Sequence, residues 1–441
     1  MLSSFKPVLA HAFLQQYSLP VPLWLFIYGG AAVVLLSFVV VTFFIGSDQA
    51  AVGYPKRLIW KIPSGLAGAS ALLGVLTLAF TIVAGLFGSQ DFTNSISPTL
   101  FWILFLLGFT YLTLLAGNIW QFINPFRALL DWTERLTKTE FKPRFVYPEK
   151  LGYFPALGFY VIFIWLELLS NGWGVVPSNL SEVLLGYSVL TVIGALTFGK
   201  EAWFRYGDFF SVFFRLFGYI APIQYAGKKV YLRPPFVGLL DETKLSIGLL
   251  LFVLFALSST AFDGLQETAP YARVFNVLSN ETLILLLMPL VYLAIYGLFM
   301  WLMKVIAKPK QSVRELALKF SLTLLPIAVV YNVAHYFTLV LIQGQSVIRL
   351  ASDPLGLGWN LFGTNDYVIN ANIINAATVW YFQVALIVIG HVAAVYLAHL
   401  EAVKLFGSTK KAVLSQYPVL ALMIIYTVIS LWIIAQPIIA E

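Results

Sequence analysis

Four histidines are the residues of this 441-residue chain best suited to chemistry, and three of them lie in long apolar runs. His335 stands in YNVAHYFTLVLIQGQ, where Asn332, His335, Tyr336, Leu339 and Gln343 recur at steps of one, three and four residues and so share one helix face. Pro326 below them removes a backbone donor and predicts a kink. Gln383, His391 and His399 follow in a later run, and His11 precedes the first. Neutral imidazole is a common ligand of transition metals, titrates near neutral pH and can orient a polar substrate. Asn332, His335, Gln383 and His391 therefore form a candidate polar site. His11, His335 and His391 are candidate ligands of a transition metal. The plainer alternative is that each histidine makes one interhelical hydrogen bond. His391 and His399, eight apart, diverge by about 80° on a helix and are not an ideal chelating pair. The chain has no cysteine, no HExxH, no GxxxxGK[ST] and no GxSxG. That removes thiolate chemistry, the zincin pattern, the phosphate loop and the nucleophile elbow, and leaves catalytic residues and cofactor unknown.

The elements that must position these residues are membrane helices. The chain is 60% hydrophobic and 11% charged, where a soluble domain carries roughly a quarter charged residues. Its mean hydropathy is +0.86. Apolar stretches at about 21–45, 66–88, 99–122, 151–171, 179–197, 245–263, 281–303, 320–342, 374–402 and 413–437 each approach the roughly 20 residues that span a bilayer. The 27 Lys and Arg residues, apart from Lys6, Arg273 and Arg349, fall in every second loop, within 56–61, 127–150, 200–244, 304–319 and 404–411. Basic residues resist translocation. The bias predicts an all-α bundle of about ten transmembrane helices in the bacterial inner membrane, one membrane domain over 1–441, with both termini outside the cytoplasm. The net charge of +7 flanks spans and forms no stripe, so it matches anionic lipid rather than nucleic acid.

Two of the basic loops contain amphipathic runs, FRALLDWTERL from Phe126 and DFFSVFFRLFGYI from Asp208, which read as interfacial helices or as helices packed on the bundle. Gly117, Trp120 and Phe126 resemble Gly199, Trp203 and Phe209, each set following a helix pair. A two-helix repeat and a chance match both remain open. The long outer loop 343–373 contains SDPLGLGWNLFGTNDYVINAN, a turn-rich text that fits a lid, a binding loop or a passive cover. Gly390, Ala393, Ala394 and Ala398 predict close approach of the eighth and ninth spans. At about 1.5 Å per residue, His335 and Gln383 both lie about 10 Å below the outer surface. Glu167, Asp353 and Asp366 are further acids that could complete a site, whereas Asp263 and Glu182 are read as helix-end charges.

The segments AHYFTLVLIQGQ, ASDPLGLGWNLFGT, VWYFQVALIVIGHVAAVYLAH and YTVISLWIIAQP, with AHAFLQQYSLPVPLWLFIYGG at the start, resemble a bacterial family of polytopic membrane proteins labelled fenitrothion hydrolase. The positions that match its recurring motifs are His11, His335, His391 and His399. The resemblance implies cleavage of an organophosphate ester, a reaction that usually uses metal-bound hydroxide. The residues themselves favour transport, or metal or proton handling, through an outward-facing polar site on the eighth and ninth spans. A membrane-bound hydrolase and a structural or assembly subunit of a membrane complex stand as alternatives. The expected partners are the lipid bilayer, a small molecule or ion, and other subunits of such a complex.

Overall fold

Long apolar stretches without internal partners for their backbone become helices, because only a helix satisfies every N–H and C=O within one segment in lipid. The computed structural model describes residues 22–44, 54–242, 244–266, 268, 271, 280–406 and 409–435. In chain order the main helices are α1 Leu23–Phe44, α2 Ser64–Phe87, α3 Ile96–Ala116, α4 Pro125–Thr137, α5 Phe154–Leu168, α6 Pro177–Phe198, α7 Phe209–Gly218, α8 Ile247–Gln266, α9 Glu281–Ala307, α10 Val313–Gln343, α11 Ser346–Ser352, α12 Ala376–Phe406 and α13 Thr409–Ile434. Among the described residues nine of these are long and apolar enough to cross a membrane. The protein is thus an all-α, multi-pass membrane bundle. The span expected at 151–171 is the shorter α5, of 15 residues.

The chain divides into two compact units. The first holds Lys56–Arg233 and Tyr336–Ile373, and the second holds Pro234–His335 and Ile374–Glu441 together with α1; the division falls inside α10.

In the first unit the sequence match around Gly117 and Gly199 is a structural repeat. Both glycines end a long helix at positive φ, 81° and 87°, a conformation that costs a side chain but not glycine. After each, the chain turns back along the bundle instead of leaving it. The short helix Trp120–Ile123 climbs beside α2 until the Ile123 carbonyl sits where a Cβ on Gly74 would be, 1.8 Å away, near the middle of the 24-residue α2. The π-helical turn Trp203–Gly207 climbs beside α6 until Asp208 receives the hydroxyl of Tyr187. Tyr187 lies eleven residues, about 16 Å, before the end of α6 at Phe198.

At these two points an Asx residue caps a descending helix. The Asn124 side chain accepts from the N–H groups of Phe126 and Arg127 at 3.0 Å, and the Asp208 side chain accepts from Ser211 N–H at 2.9 Å. In both, the cap's own N–H donates to the tryptophan carbonyl, Asn124 to Trp120 and Asp208 to Trp203, each at 2.9 Å. The second step is one residue longer, and its π-helical turn absorbs the extra residue.

These descending helices are α4 and α7, and of the two readings open in the sequence, a helix flat at the surface or one packed on the bundle, the structure has the second. Each starts halfway along the bundle. Every residue of α7 except Arg215 is buried, because its aromatic side chains point in all directions and only an enclosed site can take them. Phe210 and Phe214 pack edge-on against Phe105 with ring centroids 5.0 and 5.4 Å apart. Trp120 Nε1 and Asn124 Nδ2 both donate to Ser211 Oγ, at 3.2 and 3.0 Å, which ties one copy of the repeat to the other. Gly74→Ala should therefore push α2 off a backbone carbonyl, at the upper end of the roughly 1–3 kcal/mol typical of overpacking. A shift of the detergent unfolding midpoint measures it, and an unshifted midpoint would show that this contact is slack.

A small sheet in the same unit, ordered β1 Arg57–Lys61, β3 Lys229–Leu232, β2 Ile223–Ala226, is antiparallel throughout. Gly227, at φ 59°, starts the two-residue turn of its hairpin.

In the second unit α8 is the central helix, 89% buried over its most apolar window against 17% for α1 and α9. Gly390 on α12 carries the close approach expected of it: a Cβ there would stand 2.2 Å from Val330 and 2.9 Å from the Pro326 carbonyl of α10.

Candidate functional site

The polar centre of the second unit lies on α8, α10 and α12. His335 Nε2 is 2.8 Å from Asp263 Oδ2, and the Asp263 side chain is fully buried while that of His335 is 7% exposed. With Asp263 ionised the carboxylate only accepts, and the proton of this contact then sits on His335 Nε2. The pair sits against apolar residues: Ala261, Tyr331, Ala334, Ile387, Leu431 and Ile433 form one buried cluster. Tyr331 stands one turn before His335 and stacks on it, with ring centroids 6.4 Å apart and planes 26° apart. Its hydroxyl is buried and has no hydrogen-bond partner among the described residues. Gly264, next to Asp263, makes room for that hydroxyl, which would lie 3.0 Å from a Cβ there.

Gln383 joins this centre. Its Nε2 donates to the Ala334 carbonyl at 2.8 Å, which fixes α12 against α10 one residue before His335. Asn332 is half-buried beside Tyr331. His391 is not brought to the pair. It lies eight residues, about 12 Å, further along α12 than Gln383, at the level of Val330 and Pro326. Its Nδ1 is 2.7 Å from the Ile387 carbonyl, and its Nε2 is buried without a partner among the described residues. His399, also buried, has Nδ1 3.1 Å from Gln416 Oε1. Gln416 spends its Nε2 on the Ala412 carbonyl, so Oε1 is left to accept from His399.

The proposed metal set does not assemble from what is described. His11 lies outside the described residues, and His335 and His391 are separated as above. Among the described residues no group of three or more His, Asp or Glu stands at metal-binding separation. The acids named for a hydrolytic centre are placed elsewhere. Asp353 caps the Leu357 and Gly358 N–H groups at 2.8 and 2.7 Å, Asp366 is exposed, and Glu167 is half-buried on α5.

Sequence reasoning missed Asp263, which was read as a helix-end charge. It is separated from His335 by 72 residues, a contact no local pattern encodes. The available signal was a single acid in an otherwise uncharged span, which by default marks function in a membrane helix.

In the first unit the 343–373 loop is built rather than loose. Ser352 Oγ accepts from Phe362 and Thr364 N–H at 3.1 and 3.2 Å, and Gln345 Oε1 accepts from Tyr367 Oη and Asn370 N at 2.9 and 3.1 Å. Arg349 donates to Asn94 Oδ1 at 3.0 Å and to the Thr93 carbonyl. A cleft of about 280 Å³ lies there, lined by Arg349, Asp353, Asn94, Ser89 and Asn365 among others. Comparison of the chain with protein-family models, with curated proteins and with solved structures gives no match.

Proposed function

We propose that this multi-pass membrane protein moves protons, in the service of transport, through the Asp263–His335 pair of α8 and α10. The observation that carries the reading is a fully buried carboxylate bonded to an imidazole inside an apolar helix cluster. Ionisable groups in a span are expensive and are kept where an ion or proton pathway needs them. With a proton on Nε2 only, the pair carries one net negative charge. A proton taken up on Nδ1 gives imidazolium beside carboxylate and no net charge. Gln383 and the stacked Tyr331 ring hold the helix and the imidazole while this happens. The bias of Lys and Arg to alternate loops supports a cell-membrane protein with both termini outside the cytoplasm.

The test is proton flux into proteoliposomes loaded with a pH-sensitive dye under an imposed potential. His335→Ala and Asp263→Asn should each lower the flux about a hundredfold, the scale of a positioned acid–base group. A wild type that moves no protons at either polarity sinks the proposal. Turnover of an aryl phosphotriester by the same purified protein would instead favour the hydrolase implied by the family resemblance.

A further inference from the structure

We propose that His391 is a second proton stop, reached from the Asp263–His335 pair by way of the Tyr331 hydroxyl, on a path that ends at His399 and Gln416. The inference rests on the proton-handling reading above and extends it from one site to a file through the second unit.

The argument starts from the tautomer of His391. A backbone carbonyl accepts and cannot donate, so the 2.7 Å contact to the Ile387 carbonyl places the ring proton on Nδ1. Nε2 is then a bare lone pair, fully buried and with no donor among the described residues. Buried polar atoms are normally paired, and those left unpaired need a reason. His391 is thereby held as an acceptor facing the interior of the unit.

Tyr331 supplies a matching group above it. Its hydroxyl, like Gln266 Oε1, is a buried polar atom beside the pair with no partner among the described residues, its ring stacks on His335 with centroids 6.4 Å apart, and it shares a cluster with Ile387, whose carbonyl anchors His391. On α12 the order continues to His399, eight residues and about 12 Å beyond His391, where the imidazole is again buried and again has Nδ1 committed to an acceptor. Three of the four histidines in the chain thus lie buried in one unit, at successive depths, with two of them fixed in the Nδ1–H form.

The proton balance at His391 is simple. A proton arriving on Nε2 makes imidazolium. It leaves again from Nε2, because Nδ1–H is bonded to a carbonyl that cannot carry it away. Spacings of about 12 Å exceed one hydrogen bond, so water carries the proton between stops.

The experiment uses the full chain in the same proteoliposomes, comparing wild type, His335→Ala, His391→Leu and Tyr331→Phe. Tyr331→Phe keeps the ring on His335 and removes a hydroxyl that bonds nothing among the described residues, so it is expected to fold. Flux should fall about a hundredfold in His391→Leu and by at least about tenfold in Tyr331→Phe, with the unfolding midpoint of Tyr331→Phe unchanged. Wild-type flux in both variants, alongside loss in His335→Ala, overturns the file and leaves the Asp263–His335 reading standing. If His391→Leu does not fold, unchanged flux in Tyr331→Phe alone overturns the path as drawn. Absence of flux in the wild type overturns both readings together.

Discussion

His335→Ala should cost about 3–5 kcal/mol of stability, and the double change Asp263→Leu with His335→Leu should recover most of that loss while moving no protons. The single change leaves a fully buried carboxylate without its imidazole in a cluster of Ala, Ile, Leu and Tyr side chains. An uncompensated buried charge is the most costly remnant of a broken pair. Asp263→Asn should cost less, since a neutral amide still accepts from His335 Nε2 and no charge is stranded. The double change removes both polar groups and fills the volume with side chains like those around it, a replacement that is often neutral or stabilising. Unfolding of the purified protein in denaturing detergent gives the stabilities, and flux on the same preparations gives the function. A double variant that stays as unstable as His335→Ala would mean that the pair holds the fold together by a route other than the hydrogen bond that His335 gives the buried carboxylate. One that still moves protons would remove the pair from the pathway.

The architecture was legible because the solvent writes it into the sequence. Ten apolar stretches fall on helices, since each must satisfy its own backbone in lipid, and only 151–171 comes out short as Phe154–Leu168. Gly390 was legible for the same reason: a missing side chain within a span shows where another helix comes close. The Asp263–His335 contact was not, because two helices far apart in sequence meet through tertiary packing alone. Tyr331 was hidden in plain text, since a tyrosine in an apolar span gives no hint of whether its hydroxyl is bonded. The choice between surface and bundle for α4 and α7 stayed open in the sequence for a different cause. Amphipathic periodicity reports that one face differs from the other, not whether the polar end meets water or a buried cap. What did carry the information was the pair Asn124 and Asp208, each four or five residues after a tryptophan and directly before the descending helix. The sheet escaped because its strands are four or five residues long and RLIWK is exposed throughout, so neither length nor alternation marks it; the Gly227-Lys228 turn is its one local signature.

The repeat makes a prediction that separates charge from capping. At the first copy the cap is an amide, Asn124, and at the second it is a carboxylate, Asp208, fully buried and bonded to Tyr187 Oη through one oxygen and to Ser211 N–H through the other. If Asp208 acts in the way its sister does, an amide should serve. In Asp208→Asn, Oδ1 takes the Ser211 N–H as Asn124 Oδ1 takes Phe126 and Arg127, and the new Nδ2 donates to the Tyr187 oxygen, which can accept as well as donate. Ser211 N–H and the Tyr187 oxygen keep a partner, only the long 3.4 Å bond that Thr191 Oγ1 donates to Asp208 Oδ1 is given up, and the change should stay within about 1 kcal/mol. Asp208→Ala has no such arrangement. It loses a cap worth about 1 kcal/mol and strips a fully buried tyrosine hydroxyl of its main partner at roughly 1–3 kcal/mol more. Adding Tyr187→Phe to Asp208→Ala should return the second part and leave only the cap, since the stranded hydroxyl is then gone. Unfolding midpoints of the four proteins decide it. Asp208→Asn as damaging as Asp208→Ala would show that the second copy needs the negative charge itself, and the equivalence of the two caps would then hold for backbone geometry but not for chemistry.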